Sequence, residues 1–376
     1  MRHHFTQTIV DVLERHFRGS GEDVLASSSL LQYLNVKTRS ANRGSKSRGS
    51  FANHYALYVL VEDYISGGFA DHRSGEYSKY EGARFTDLFR RQRELPFGSK
   101  LQNHALNSRL NDEFAKYFPT LEQRPILRDL KEQRYWINEA LLEVASDGRV
   151  VNIAKAVIEI VDAYVDAKRS AFESFLSACR SLSDVSADKP DEVTRFVTEQ
   201  LQPNVDARVF EIVSYAILKA HFGDKSIFWG WTADELKEEY LVLYKTGRTN
   251  ANDGGIDFVM RPLGRFFQVT ETIDANKYFL DIDKVQRFPL TFVVKTNETP
   301  ESVSVSLREQ AFRKYRVQAV VDRYLDCIEE IINIPTLVEI FGVLSAREKL
   351  QEIMEEVVLQ SMVEFNYDEP DEDADA

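Results

Sequence analysis

Apolar residues recur at helical spacing over much of this 376-residue chain, and the pattern changes between residues 203 and 298. In the N-terminal third the spacing predicts short helices over residues 5–17, 24–34, 52–65 and 100–117. A long amphipathic helix is predicted over residues 150–182, where Ile153, Val157, Ile160 and Tyr164 recur on one face. Two further helical runs are predicted toward the C-terminus, over residues 305–332 and 337–362.

The segment between residues 203 and 298 mixes helical and strand-like patterns. It predicts, in order, a helix, three strands, a helix and a strand, at residues 206–221, 239–245, 257–260, 265–270, 275–285 and 290–295. Asp206 is a suitable N-cap for the first helix, and Gly223 is a suitable stop. The last strand is a continuous β-branched run, which is typical of a strand that is buried on both faces.

The two middle strands form a predicted hairpin with a definite register. If residues 261–264 form the whole turn, Met260 pairs with Arg265, and Asp257 lies directly opposite Gln268. Directly opposed residues share a face at about 5 Å, and Thr270 lies two residues further along that face. Two oxygen ligands at this separation can hold a hard divalent cation.

These residues carry a resemblance to a known group of enzymes. Asp257 at a strand start, Gln268 across the hairpin and Phe210-Glu211 in the preceding helix resemble the core of the PD-(D/E)xK nucleases. This group includes most Type II restriction endonucleases and the Mrr-like proteins, and the sequence Asp-Gly-Gly-Ile-Asp over 253–257 is close to the Mrr-like form. The resemblance covers residues 203–298 and departs from the family at Thr270, where the motif has lysine.

The resemblance implies a fold, a cofactor and roles for particular residues. It implies a restriction-endonuclease-like mixed β-sheet flanked by helices, and Mg²⁺-dependent hydrolysis of double-stranded DNA. The metal ligands would be Asp257, Gln268, the backbone carbonyl of Val269 and, through a bound water, Glu211. Glu271 falls on the opposite strand face from Gln268 and is not counted as a ligand.

Thr270 raises the question of which group replaces the motif lysine. In the family this lysine orients or activates the attacking water, and a threonine hydroxyl cannot stabilise hydroxide as a cation does. Lys277, at the start of the next helix, is the first candidate, because its long side chain could reach back to the site. Lys245, at the end of the preceding strand, is the second candidate. The catalytic set is therefore predicted as Asp257, Gln268, Glu211 and Lys277.

Charge is segregated along the chain. The last 26 residues hold ten acids and no Lys or Arg, and leaving them out changes the net charge from −13 to −3. Residues 37–48 carry five basic residues and no acid. The short N-terminal helices with basic connections predict a helical, winged-helix-like DNA-recognition module. Its predicted DNA contacts are Lys37, Arg39, Arg43, Lys46, Arg48, Arg90, Arg91, Arg93, Lys100, Asn103 and Asn107.

For Asn103 and Asn107 a solvated helix face is an equally good interpretation. The long helix over 150–182 could join two domains or form a homodimer interface, and the sequence leaves both open. The predicted fold is a multidomain α and α/β protein with these parts: recognition module 1–120, connector and linker 121–200, nuclease-like core 201–300, C-terminal helices 301–362 and disordered acidic tail 363–376.

Other features narrow the function classes. The two cysteines form no Cys-x-x-Cys pair, and no run approaches 18 apolar residues, so we expect a soluble, cytoplasmic protein with no membrane partner. A Walker A loop is absent, which argues against a nucleotide cofactor. The leading hypothesis is a Mg²⁺-dependent endonuclease of a restriction-modification system. The alternatives are a catalytically silent DNA-binding protein with the nuclease fold and a helical protein-interaction module.

Overall fold

The computed structural model describes residues 2–41, 47–73, 75–99, 101–146, 148–184, 188–246 and 256–365, apart from the side chains of 40, 47–50 and 365. The chain divides into two compact units, Met1–Glu173 and Ser174–Ala376. Both units contain helices and strands, so the predicted mixed α and β composition is confirmed.

The first unit contains α1 (Thr6–Phe17), α2 (Gly21–Ser27), α3 (Ser29–Lys37), α4 (Ser47–Ser66), α5 (Phe85–Glu94), α6 (Leu110–Tyr117) and the start of α7 (Ala154–Asp184). The single helix predicted over 24–34 is wrong. Ser28 has extended backbone angles that end α2, and its hydroxyl accepts the Leu31 N–H to cap α3. The helix predicted from residue 100 begins only at Ala105, as a π-helical turn that continues into α6.

Five short strands were not predicted in the first unit. They are β1 (Ala83–Arg84), β2 (Ile126–Asp129), β3 (Arg134–Ile137), β4 (Glu143–Ser146) and β5 (Arg149–Asn152). β1, β3 and β2 form an antiparallel sheet in the order β1-β3-β2, and β4 pairs with β5. The expectation of helical structure from residue 150 is wrong, because residues up to Asn152 pair in a hairpin and the Asn152 side chain then accepts the Ala154 N–H.

The second unit contains α8 (Pro190–Gln200), α9 (Ala207–Gly223), α10 (Ala275–Lys284), α11 (Pro300–Tyr315), α12 (Gln318–Leu325), α13 (Ile334–Ser345) and α14 (Leu350–Phe365). Its strands are β6 (Ser226–Trp229), β7 (Lys237–Tyr240), β8 (Val242–Lys245), β9 (Phe258–Arg261), β10 (Arg265–Thr270), β11 (Leu290–Val294) and β12 (Ile328–Ile332). A five-stranded sheet has the order β12-β11-β10-β9-β8, and β6 pairs with β7.

The predicted elements are present in order as α9, β8, β9, β10, α10 and β11, but the hairpin of β6 and β7 lies between α9 and β8, and β6 was not predicted. β9 is antiparallel to both of its neighbours, β8 and β10, whereas β11 and β12 run parallel to β10. The Asp206 side chain caps α9 as predicted by accepting the Arg208 N–H at 2.9 Å. The hairpin register begins with the predicted Met260–Arg265 pair, and Gly264 closes the turn with φ +70°.

Three other element predictions in this unit are wrong in detail. The strand predicted over 239–245 is split between β7 and β8. The helix predicted over 305–332 is α11, α12 and the strand β12, and α11 ends where Arg316 adopts a left-handed conformation with φ 53°. The helix predicted over 337–362 is α13 and α14, with residues 346–349 between them.

Helices cover both faces of the five-stranded sheet. On one face, Phe258, Met260 and Phe267 are buried in a cluster with side chains of α9, α13 and α14. On the other face, Phe266 and Phe292 pack with side chains of α10 and α11. Successive side chains of β10 therefore point to opposite helical layers.

Candidate catalytic site

Asp257 lies where the ladder between β9 and β10 ends. The last pair of this ladder is Phe258 with Phe267, and the predicted next pair, Asp257 opposite Gln268, is not formed. The Asp257 N–H donates to the Phe267 carbonyl at 3.0 Å, and the Asp257 carboxylate accepts the Val269 N–H at 2.7 Å. The Asp257 side chain thus binds the Val269 N–H, which is then not used for a further backbone pair between β9 and β10.

The Gln268 side chain nevertheless contacts the same residue, Val269. Its Nε2 donates to the Val269 carbonyl at 3.4 Å, so Asp257 and Gln268 contact the N–H and the carbonyl of one residue. Gln268 is only 8% exposed, and the described part of the chain offers no hydrogen-bond donor to its Oε1. Around Val269 the chain thus offers a carboxylate, a buried amide oxygen and a backbone carbonyl, which are kinds of oxygen that bind a hard cation.

The carboxyl group of Asp257 is held in an unusual electrostatic environment. Although the residue as a whole is half-buried, the removal of its carboxyl group from water raises its pKa well above the ordinary aspartate range. The negative charge of Glu211 raises this pKa further, whereas the Val269 hydrogen bond and the charges of Lys245 and Lys277 lower it. A bound cation would act in the same direction as the lysines and favour the ionised form.

Glu211 reaches this environment from α9 and is paired with a lysine. Its Oε1 lies 3.0 Å from Lys245 Nζ, and both side chains are largely buried, at 13% and 10% exposed. Lys245 ends β8 and lies opposite Phe258 in the ladder, one position from Asp257. Glu211 is therefore close enough to influence Asp257, but its carboxylate already has a cationic partner.

Lys277 lies beside the motif position that Thr270 occupies. Its Nζ donates to Thr270 Oγ1 at 2.9 Å from the first turn of α10, while the residue remains exposed. The predicted reach of this side chain back to the end of β10 is therefore observed. Both candidate lysines act electrostatically on Asp257. Lys277 is held by a hydrogen bond to Thr270, and Lys245 is held by its ion pair with Glu211.

A second buried ion pair nearby was not predicted. Lys295, with a side chain 1% exposed, lies 2.7 Å from Glu271 and also donates to the carbonyl of Val205, just before α9. Its Nζ lies 6.0 Å from the centre of the Phe210 ring. Glu271 is thus paired with Lys295. The sequence signal was a lysine that directly follows the apolar strand β11.

The grouping of metal-binding side chains is sparse. Within the ranges that the structure describes, no three His, Cys, Asp or Glu side chains are grouped so as to hold a metal ion. The predicted set supplies two carboxylates, from Asp257 and Glu211, and needs the neutral oxygens of Gln268 and Val269 to complete it. The glycine-rich turn at 253–255 lies outside the described residues.

The predicted DNA contacts at the end of α3 fall into different environments. Lys37 Nζ lies 2.7 Å from Glu113, with side chains 15% and 22% exposed, so its charge is compensated inside the first unit. Lys37 is therefore a weaker candidate for a phosphate contact than an exposed basic residue. Arg39 is exposed. Arg43 and Lys46, and the side chain of Arg48, lie outside the described residues.

The predicted contacts on α5 and before α6 are partly engaged within the first unit. Arg91 binds Glu62 through two hydrogen bonds of 2.8 Å, which raises the pKa of its guanidinium. Arg90 and Arg93 are exposed, although Arg90 pairs with Asp87 at 2.8 Å and Arg93 donates to a carbonyl.

The two asparagines lie differently from the prediction. Asn103 precedes the helix instead of lying on its polar face, because the helical turn begins only at Ala105. Asn107 Oδ1 accepts a hydrogen bond from Tyr135 at 3.3 Å. Lys100 lies outside the described residues.

Comparisons of the chain with protein-family models, with curated proteins and with solved structures found no match. Across the described residues, no helix has the length and apolar character needed to cross a membrane.

Proposed function

We propose that the chain is a Mg²⁺-dependent endonuclease that hydrolyses phosphodiester bonds in duplex DNA, with a PD-(D/E)xK-like core in the second unit. The order of α9, β8, β9, β10, α10 and β11, with the separate hairpin β6–β7 inserted after α9, supports this, since an antiparallel run of three strands is followed by a strand parallel to the last of them. The observation that carries the proposal is that the Asp257 carboxylate and the buried Gln268 side chain both contact Val269 at the end of the β9–β10 ladder, and that Gln268 Oε1 has no hydrogen-bond partner among the described residues.

The residues present fit a divalent cation. Asp257, Gln268 Oε1 and the Val269 carbonyl would hold it directly, and Glu211 would complete the site through water. Bound Mg²⁺ would supply positive charge at the phosphoryl and leaving oxygens and would lower the pKa of the attacking water. Asp257 must lose its proton to act as a ligand, and Glu211 must exchange its lysine partner.

Lys277 is proposed to take the role of the absent motif lysine. Its ammonium group hydrogen-bonds the hydroxyl of Thr270, so a cation stands close to the position where the motif lysine would carry one. Because Lys277 is exposed, its side chain has room to turn from Thr270 to an attacking water. Thr270, which is 2% exposed, would serve as its resting partner.

For the first unit, we infer a winged-helix-like module that binds DNA. The order α4, β1, α5, α6, β2, β3, with β1 paired to β3, supports this, because the hairpin β2–β3 would form the wing and α6 the recognition helix. The exposed Arg39, Arg90 and Arg93 remain its proposed phosphate contacts.

The direct test is metal-dependent cleavage of a mixed plasmid substrate, with sequencing of the ends produced. Asp257→Ala should lose cleavage by about 10³-fold or more and retain DNA binding, because one of the groups that position the metal is removed. Asp283→Ala, at an exposed acid on α10, is the matched control and should cut normally. Cleavage by Asp257→Ala would show that this site is not the active site.

A second candidate is a catalytically silent protein that binds DNA through the same fold. The sparse grouping of metal-binding side chains and the compensation of Glu211 by Lys245 favour it. The same assay separates the two functions. Mg²⁺-dependent nicking by the wild-type chain excludes the silent protein, and binding without any nicking favours it.

A further inference from the structure

The ion pair between Glu211 and Lys245 lies beside the candidate metal site, in a place where neither charge can be well hydrated. The two groups are 3.0 Å apart and only 13% and 10% exposed. A buried carboxylate that loses its cationic partner is strongly destabilised unless another positive charge replaces it. Any ion that binds Glu211 must therefore compete with Lys245.

The position of Glu211 does not depend on this lysine alone. One helical turn further along α9, the Tyr215 hydroxyl donates to the Leu243 carbonyl at 3.0 Å, two residues before Lys245 in β8. The Tyr215 ring also contacts Phe258, with centroids 5.1 Å apart. These contacts fix α9 on β8, so removal of the Lys245 charge should leave the Glu211 carboxylate in place and without a partner.

The neighbours of the pair show where a competing cation would enter. Lys245 is paired across the ladder with Phe258, which directly follows Asp257, and both Glu211 and Lys245 act electrostatically on Asp257. The Glu211–Lys245 pair is thus largely buried, and Asp257 lies within the electrostatic range of both of its charges. A divalent ion that binds both carboxylates would repel Lys245, since like charges a few ångströms apart interact strongly at low dielectric.

We propose that Lys245 is an internal counter-ion of the site, which occupies Glu211 when no metal is bound and is displaced when a divalent cation enters. The inference rests on the proposed function, because it takes Glu211 and Asp257 as the carboxylates of a metal site. It gives Lys245 a role different from that of Lys277: Lys245 sets the metal affinity, and Lys277 assists the attacking water. The displaced ammonium group would then be available to a phosphate of the substrate.

The test is the direct binding of Mn²⁺ to the full-length protein without DNA. Binding is measured by calorimetry and by the rise in Tm when Mn²⁺ is added. Lys245→Met should bind Mn²⁺ about tenfold more tightly than wild type, because a competing unit charge is removed from a low-dielectric site. Lys245→Gln should do the same, and it guards against misfolding of the methionine variant. Lys245→Arg keeps the charge and should bind as wild type does.

Two further variants assign the gain to Glu211. In the double variant Glu211→Gln, Lys245→Met the gain should disappear, because no carboxylate is released. Lys219→Met is the matched control, since Lys219 on the same helix lies 2.7 Å from Glu356, which is 11% exposed, and its loss should leave Mn²⁺ binding unchanged. Unchanged or weaker Mn²⁺ binding in both Lys245→Met and Lys245→Gln overturns the proposal.

The outcome is separable from that of the proposed function. If the wild type cleaves DNA and neither Lys245 variant gains affinity, the counter-ion role is wrong and the nuclease function stands. If the Lys245 variants gain affinity through Glu211 but no variant cleaves, the counter-ion role holds and the nuclease function fails.

Discussion

Thr270 and Lys277 define the main departure from the nuclease motif at the scale of single residues. The threonine hydroxyl accepts a hydrogen bond from Lys277 Nζ at 2.9 Å, so the cation comes from the next helix rather than from the strand. Sequence reasoning could propose this because the separation of seven residues is short and a lysine side chain is long. It could not give the direction of the side chain, which depends on how α10 packs on the sheet.

We predict that Lys277→Met lowers kcat for DNA cleavage by about 10²-fold or more and leaves Mn²⁺ affinity nearly unchanged, because a group that acts on water is lost. The swap Thr270→Lys, Lys277→Met, which restores the motif position, should recover part of that loss. Single-turnover cleavage of a plasmid measures both effects. A swap variant as inactive as Lys277→Met, although folded and able to bind Mn²⁺, would contradict this role.

The raised pKa of Asp257 makes a prediction about pH. In metal-free buffer the folded chain keeps this proton above the ordinary aspartate pKa of about 4, whereas the unfolded chain has already lost it. The folded state then binds more protons, so this group lowers the free energy of unfolding as pH rises from about 4 toward the raised pKa.

Asp257→Asn removes this contribution. Its stability advantage over the wild type should therefore grow as pH increases from 5 to 8, when measured by urea unfolding in EDTA. Saturating Mn²⁺ should reverse the order at the higher pH, because only the wild type provides the ionised ligand. An advantage for Asp257→Asn that does not change with pH would mean that the carboxyl group is ionised throughout.

At the scale of elements, turn and capping residues predicted the secondary structure well, whereas short strands could not be recognised from their sequence pattern. The hairpin register followed from four turn residues, and the α9 cap followed from Asp206. β2 to β5 were missed because each is only four residues long and offers too few positions to show a period of two. β12 was missed because the spacing of Ile328, Ile331 and Ile332 also fits one face of a helix, and only the pairing of this strand with β11 decides between the two.

The end of the β9–β10 ladder at Asp257 could also not be predicted from the sequence. Alternation along two strands predicts that Asp257 and Gln268 pair, but it cannot foresee that a carboxylate accepts the Val269 N–H in place of the backbone. Glu211 was placed correctly in the preceding helix, whereas its pairing with Lys245 depends on how closely α9 approaches β8. Such choices arise from contacts between elements.

A further prediction concerns Lys295, where the end of β10 meets the segment before α9. It links β10 to the residue before α9 through Glu271 and the Val205 carbonyl, and its side chain is 1% exposed. Lys295→Met should lower the free energy of unfolding by about 2–4 kcal/mol, since a buried pair is broken and Glu271 loses its partner. Urea unfolding measures this loss, and hydrogen exchange should show faster opening at the start of α9.

The control for Lys295→Met is an exposed pair in the same unit. Arg313 lies 3.3 Å from Glu309, with side chains 77% and 63% exposed, so Arg313→Met should cost less than about 1 kcal/mol. If Lys295→Met cost no more than this, the buried pair would contribute little to holding α9 against the sheet.

At the scale of the whole molecule, the net charge of −13 conceals an uneven distribution, because ten acids lie in the last 26 residues. Binding to DNA depends on local rather than total charge, and each phosphate contact releases counterions from the duplex. The structure divides the basic residues of the first unit into compensated and accessible groups. Lys37 is compensated by Glu113, whereas Arg39, Arg90 and Arg93 are exposed.

We therefore predict that Arg39→Ala, Arg90→Ala, Arg93→Ala in one chain reduces the slope of log K against log salt for duplex DNA by about 2–3, with little dependence on sequence. Lys37→Met should leave this slope unchanged and instead destabilise the first unit, because Glu113 loses a buried partner. Fluorescence anisotropy at several salt concentrations measures the slope. A slope that falls for Lys37→Met but not for the triple variant would show that Lys37 contacts DNA and that the three exposed arginines do not.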